Sequence, residues 1–116
     1  MAMANIKQPL LFSGEKGEMH LYVLFDTNVK LSCISSDFIR DFGRAQRLGR
    51  PRIMTTSEGI PFEIREIIKL NFILDDKEFS EEFLVIPNMV EEVIFGSTTI
   101  SNLKIKLLEE KGVATL

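Results

Sequence analysis

The chain has 116 residues, of which 45% are hydrophobic and 27% charged, and its net charge is −3. That length gives one small domain with a real core, and the composition excludes a disordered chain. The acidic balance argues against nucleic acid as a partner, and no apolar run approaches the roughly 18 to 20 residues of a membrane span, so no membrane partner is expected either.

Taken in order, Pro9 to Phe12 and Met19 to Phe25 read as two strands of a hairpin around a Ser-Gly-Glu-Lys-Gly segment. Leu21 to Phe25 is a continuous apolar run, the mark of a buried strand, and it delivers Asp26 into the turn-forming pair Thr27-Asn28. A carboxylate there has two readings. It can close the turn by bonding back to nearby backbone, or it can be a reactive group held at the apex of two strands. Beyond the turn, Val29, Leu31, Cys33 and Ile34 interleave with Lys30, Ser32 and Ser35, which predicts a half-buried strand. The single cysteine, Cys33, cannot form an internal disulfide, and neither it nor the single His20 has metal-ligand spacing. No metal or cofactor is therefore expected, and a reducing, cytoplasmic setting fits.

The next segment, Ser-Ser-Asp-Phe-Ile-Arg-Asp-Phe-Gly, reads as one or two helical turns, with Ser35 or Ser36 as N-cap and Gly43 as the stop. Phe38, Ile39 and Phe42 would fasten it to the sheet. Arg40, Arg44, Arg47, Arg50 and Arg52 concentrate positive charge in a stretch expected to be a solvated loop. Ile53 to Thr56 and Ile60 to Ile64 flank Ser57-Glu58-Gly59 and predict a hairpin. Ile67 to Leu74 and Phe79 to Ile86 predict another around Asp75-Asp76-Lys77, ended by Pro87. Asp75, Asp76, Glu81 and Glu82 match no calcium-loop spacing and are read as turn and solvent-face residues. Gly96 follows the buried run Val93-Ile94-Phe95, where a missing side chain implies that another segment passes close by. Ser97 or Thr98 can cap a short helix carrying Ile100 and Leu103. Lys104 to Leu108 reads as a last strand, and 109–116 as a polar tail.

The run Phe-Asp-Thr-Asn-Val-Lys-Leu-Ser-Cys-Ile-Ser resembles the active-site loop of retropepsin-like aspartic proteases. Asp26, Thr27, Ser32, Ile34 and Ser35 fall on that family's pattern, whereas Asn28 and Val29 occupy its usual glycine and alanine positions. The Gly59 region is similar to the family's flap, assigned to Thr55 to Phe62, and Val93 to Gly96 to its hydrophobic-hydrophobic-glycine segment. The resemblance implies a mainly β fold: a small closed β-barrel with one or two short helices, one domain over 1–116 with its core about 6–108. It also implies Asp26, Thr27 and Asn28 as catalytic residues. Val29, Lys30, Thr56, Ser57, Glu58, Gly59, Ile60, Phe95 and Gly96 are implied to bind a peptide or protein substrate.

Peptide hydrolysis by carboxylates needs one ionised group to take a proton from water and one protonated group to donate to the carbonyl oxygen. The chain has one such motif and no internal repeat, so the site requires Asp26 from two copies meeting on a two-fold axis. The resemblance implies the same homodimer, with Thr27 bonding across the axis. Glycine at position 28 would let the two loops approach, and Asn is the ordinary residue most tolerant of positive φ. The alternative reading, prompted by Asn28, Val29 and Thr98, is a non-catalytic dimer of the same fold that grips an extended peptide.

Overall fold

The structure, a computed structural model, describes residues 6–55 and 58–116. Strands β1 (Ile6–Ser13) and β2 (Glu18–Phe25) form the expected hairpin, in register from Ile6 opposite Phe25 to Ser13 opposite Glu18. The chain continues through β3 (Cys33–Ser35), a 3-10 turn at Ser36–Phe38 and helix α1 (Ile39–Phe42). Strands β4 (Gln46–Thr55), β5 (Pro61–Leu74) and β6 (Lys77–Ile86) follow. Then come β7 (Val93–Phe95), helix α2 (Ser97–Asn102), β8 (Lys106–Leu108) and β9 (Val113–Thr115).

The sheet runs β1-β2-β7-β3-β6-β5-β4, and β5 also pairs back onto β1 through Leu11 opposite Ile73 and Phe12 opposite Phe72. That second pairing closes six strands into a barrel and leaves β4 as an appended edge. The barrel is filled by aromatic rings: Phe12, Phe25, Phe72, Phe83 and Phe95 are all buried. Their centroids lie 4.9 Å apart for Phe72 and Phe95 and 5.2 Å for Phe25 and Phe95, within the usual range for ring pairs. Strand β5 changes face partway along. Ile68, Leu70, Phe72 and Leu74 enter this core, while Ile64 and Ile67 join a second apolar cluster with Cys33 and Leu84. Burial pushes the Cys33 thiol up to about 11, so it stays protonated and unreactive at neutral pH.

The predicted helix is present as its sequence suggests. The Ser35 hydroxyl accepts the Asp37 N–H at 3.2 Å, Gly43 ends the helix with φ of 143°, and Phe42 is buried. Asp75 and Asp76 both have positive φ, 52° and 64°, the pair of angles that a tight two-residue hairpin demands.

Four expectations are corrected. The half-buried strand predicted from Val29 shrinks to Cys33–Ser35, all three residues buried, because the carbonyls of Val29 and Lys30 are taken by Ser97 and Thr98 N–H groups rather than by a strand ladder. The arginine-rich stretch expected to be a loop becomes β4 from Gln46 onward. It pairs with β5 on one side and is exposed on nearly every residue, so no apolar alternation announces it. The helix after Gly96 is capped by Gly96 itself, with no side-chain cap from Ser97 or Thr98. Residues 109–116, read as a polar tail, turn back so that β9 pairs with β8 and buries Ala114. Gln8 holds that strand from both sides, donating to the Ala114 carbonyl at 3.2 Å and accepting its N–H at 2.8 Å.

Asp75 fastens the end of the same strand by accepting the Thr115 hydroxyl and, at 2.8 Å, the Leu116 N–H. These bonds hold its carboxyl below the ordinary 3.8. A depressed carboxylate contributes its stabilisation above the unfolded-state value and loses it as pH falls through the folded one. Acidification below about pH 4 is therefore expected to raise hydrogen exchange at Val113 to Leu116 before the barrel opens, and Asp75→Ala to remove that pH dependence.

Candidate active site

Two parallel pairings place the site. β2 runs beside β7, with Phe25 opposite Phe95, and β3 runs beside β6. Consequently the chain leaves β2 and β7 at the same end of the barrel, and Asp26 emerges next to Gly96. The Asp26 N–H donates to the Phe95 carbonyl at 3.0 Å, which continues the ladder by one residue and fixes the backbone of the aspartate. Its carboxylate accepts the Asn28 N–H at 3.0 Å, and no other hydrogen bond reaches it among the described residues. Thr27 and Asn28 are exposed, and Asp26 is half-buried. One carboxylate is thus held on a rigid strand end and offered outward.

Asn28 sits at an ordinary negative φ, since the described non-glycine residues with positive φ are Asp75, Asp76, Asn88 and Lys104. The tolerance of asparagine for a left-handed turn is not called upon. Its amide supplies the contact to the carboxylate that a glycine could make, without backbone strain.

Behind the loop, Gly96 fulfils the close approach that its sequence position implies. A Cβ there would lie 2.6 Å from the Lys30 carbonyl oxygen and 2.8 Å from that of Val29. The same two carbonyls accept the N–H groups of Thr98 and Ser97 at 3.0 and 2.7 Å, so the first turn of α2 clamps the Asp26 loop. Ser32 completes the junction. Its hydroxyl accepts the Gly96 N–H at 3.0 Å and shares a 2.5 Å hydrogen bond with the Thr99 hydroxyl, and its carbonyl accepts the Leu84 N–H. Both hydroxyl residues are buried, 5% and 3% exposed. Removing the Ser32 hydroxyl strands two buried polar groups, so Ser32→Ala is expected to cost about 1–3 kcal/mol in urea unfolding. Thr99→Ser, which keeps a hydroxyl, is expected to stay near wild type.

The predicted substrate residues divide. Val29 and Lys30 lie at the loop, with Lys30 exposed beside Asn28, Ser97, Thr98, Ser101 and Asn102 in an open cleft of about 630 Å³. Glu58, Gly59 and Ile60 form the end of the β4–β5 hairpin, where Gly59 has φ of 85° and Ile60 is 60% exposed. Thr56 and Ser57 lie outside the described residues. Gly96 is buried beneath the loop and acts by position.

Phe95, expected to bind substrate, is 0% exposed and its ring belongs to the aromatic core. Alternation along β7 explains this, since Val93 and Phe95 point into the barrel and Ile94 points the other way. Ile94 packs against the second apolar cluster together with Leu31 from the Asp26 loop and Leu48, Met54 and Phe62 from the β4–β5 hairpin. These partly buried side chains give the hairpin and the loop a shared apolar lining.

No protein-family model and no curated protein matches the chain. Among solved structures it is similar to the retroviral protease-like domain of Ddi1 from Leishmania major, with a TM-score of 0.67 and 13% identity over 100% of this chain and 89% of that one. It is also similar to EIAV protease, solved in complex with the inhibitor HBY-793, with a TM-score of 0.60 and 17% identity over 92% of this chain and 93% of that one. Both likenesses span most of each chain, and the fold is retropepsin-like, as the motifs in the sequence imply.

Proposed function

We propose that this chain is an aspartic endopeptidase whose catalytic pair is Asp26 from each of two identical subunits. The observation that carries the reading is the presentation of Asp26: a lone carboxylate on a backbone-anchored strand end, oriented by the Asn28 amide, in a fold similar to that of EIAV protease. With two such groups sharing one proton, the ionised member takes a proton from water as the oxygen attacks the scissile carbon. The protonated member donates to the carbonyl oxygen. The tetrahedral gem-diol then collapses: the carboxyl that took the water's proton gives it to the nitrogen as the C–N bond breaks, and the other carboxylate takes back a gem-diol proton, which restores the pair. In this reading Thr27, next to the aspartate and exposed, bonds across the axis. In the same reading the β4–β5 hairpin, held to the Asp26 loop by the packing of Met54 and Phe62 with Leu31 and Ile94, covers an extended substrate. Val29 and Lys30 flank it, and a cytoplasmic setting suits the buried thiol of Cys33.

Because the pair works with a single shared proton, cleavage of an unstructured protein is expected to peak at acidic to mildly acidic pH. In such a dimer the exposed Asn28 side chain crowds the approach of the two loops, so Asn28→Gly is expected to raise the cleavage rate. Absence of cleavage in both forms across that range would favour the binding-only dimer instead.

A further inference from the structure

The arginines of this chain are segregated. Arg40, Arg44, Arg47, Arg50 and Arg52 are five of its six, and none of its eight lysines falls within 40–52. Arg47, Arg50 and Arg52 lie on β4, the last strand of the sheet, whose outer edge pairs with no strand among the described residues. All five arginines are exposed, and of these only Arg52 makes an ion pair within the described residues, a 3.9 Å contact to Glu82.

Exposed edges are often protected from chance pairing by charge, for which lysine is the usual residue. Protection needs only the charge. The planar guanidinium adds something else: a fork of donors that fits a carboxylate in two-point contact and a weaker hold on its water. A chain that uses lysine more often elsewhere and arginine alone here presents recognition chemistry on a strand with free backbone edge groups. We propose that β4 and the segment leading into it form a docking edge for an acidic, extended segment of another protein, added as a further strand with its carboxylates held by Arg44, Arg47 and Arg50.

The strand also limits how such a segment pairs. Pro51 has no N–H, and the register of β4 on β5 shifts between Arg47 and Arg52, so the free ladder comes in two short stretches on either side. Side-chain carboxylates reaching the arginines would secure a ladder too short to hold by itself. A nucleic-acid strand is the less suited occupant because β4 carries no aromatic residue on which bases could stack.

The test uses the full chain carrying Asp26→Asn, so that no probe is consumed, and a labelled peptide of alternating Glu and Val long enough to span β4. Anisotropy is expected to show saturable binding, with amide shifts concentrated on Gln46 to Thr55 and no binding of the peptide with Lys in place of Glu. Arg47→Glu with Arg50→Glu is expected to weaken it by about tenfold or more. Arg47→Lys with Arg50→Lys, equal in charge to the native chain, is expected to weaken it several-fold. No binding, binding indifferent to charge reversal, equal binding by the lysine variant, or tighter binding of a single-stranded oligonucleotide would each overturn the proposal. None of these readouts involves hydrolysis, so the result stands apart from that of the cleavage assay.

Discussion

Asp26→Asn is expected to remove peptide cleavage while leaving the protein folded. The carboxylate contributes little to the barrel: its one hydrogen bond among the described residues is from the Asn28 N–H, which an amide oxygen can still accept, and the backbone bond to Phe95 is untouched. Loss of a positioned general base or acid costs about 10²–10⁴-fold in rate. In a homodimer a single substitution removes both members of the pair, so the loss falls at or beyond the upper end of that range. A thermal midpoint close to wild type together with loss of cleavage is the expected outcome. Cleavage that survives at a comparable rate would place the chemistry elsewhere.

Gly96→Ala is expected to damage both stability and activity. The added methyl would meet backbone atoms of Lys30 and Val29 at 2.6 to 2.8 Å, and backbone clamped by two hydrogen bonds to α2 has little room to yield. Overpacking of this kind costs about 1–3 kcal/mol, measurable as a lower urea midpoint with an unchanged slope. The more telling effect is on the site. To relieve the clash, Val29 and Lys30 must move, and they follow directly on the turn that orients Asp26. A misplacement on the order of 1 Å in a catalytic group is enough for about a 10²-fold loss. Activity is therefore expected to fall much further than stability, whereas a change on the solvent face of β6 would alter neither.

What the sequence made legible follows from how each residue signals its role. Asp26 and Gly96 were readable because each ends a buried apolar run with a residue that the run itself does not call for, a carboxylate in one case and a missing side chain in the other, and the fold brings the two together. The capped turn from Ser35 to Gly43 was readable because capping is local. Phe95 was misplaced because Val93-Ile94-Phe95 is apolar throughout, and only the strand's two-residue period separates the core-facing ring from Ile94, which packs on the second apolar cluster. The end of β4, Ile53 to Thr55, was legible as one arm of a hairpin, but its first part, Gln46 to Arg52, escaped because an exposed edge has no hydrophobic alternation and its pairing depends on β5 rather than on its own composition. β9 escaped for a different reason. Gln8 and Asp75, which hold it, stand 106 and about 40 positions away in the chain, and long-range partners of polar side chains leave no local pattern.

Hydrolysis of this kind requires two copies of one acidic group to meet. A crystal structure of the protein at the concentration where it cleaves peptide, paired with sedimentation of the same sample, measures this most directly. The expected result is a two-fold dimer with the Asp26 carboxylate oxygens of the two subunits roughly 3 Å apart, close enough to share a proton. Monomers in solution, or a dimer that keeps those oxygens too far apart to share one, would contradict the hydrolase.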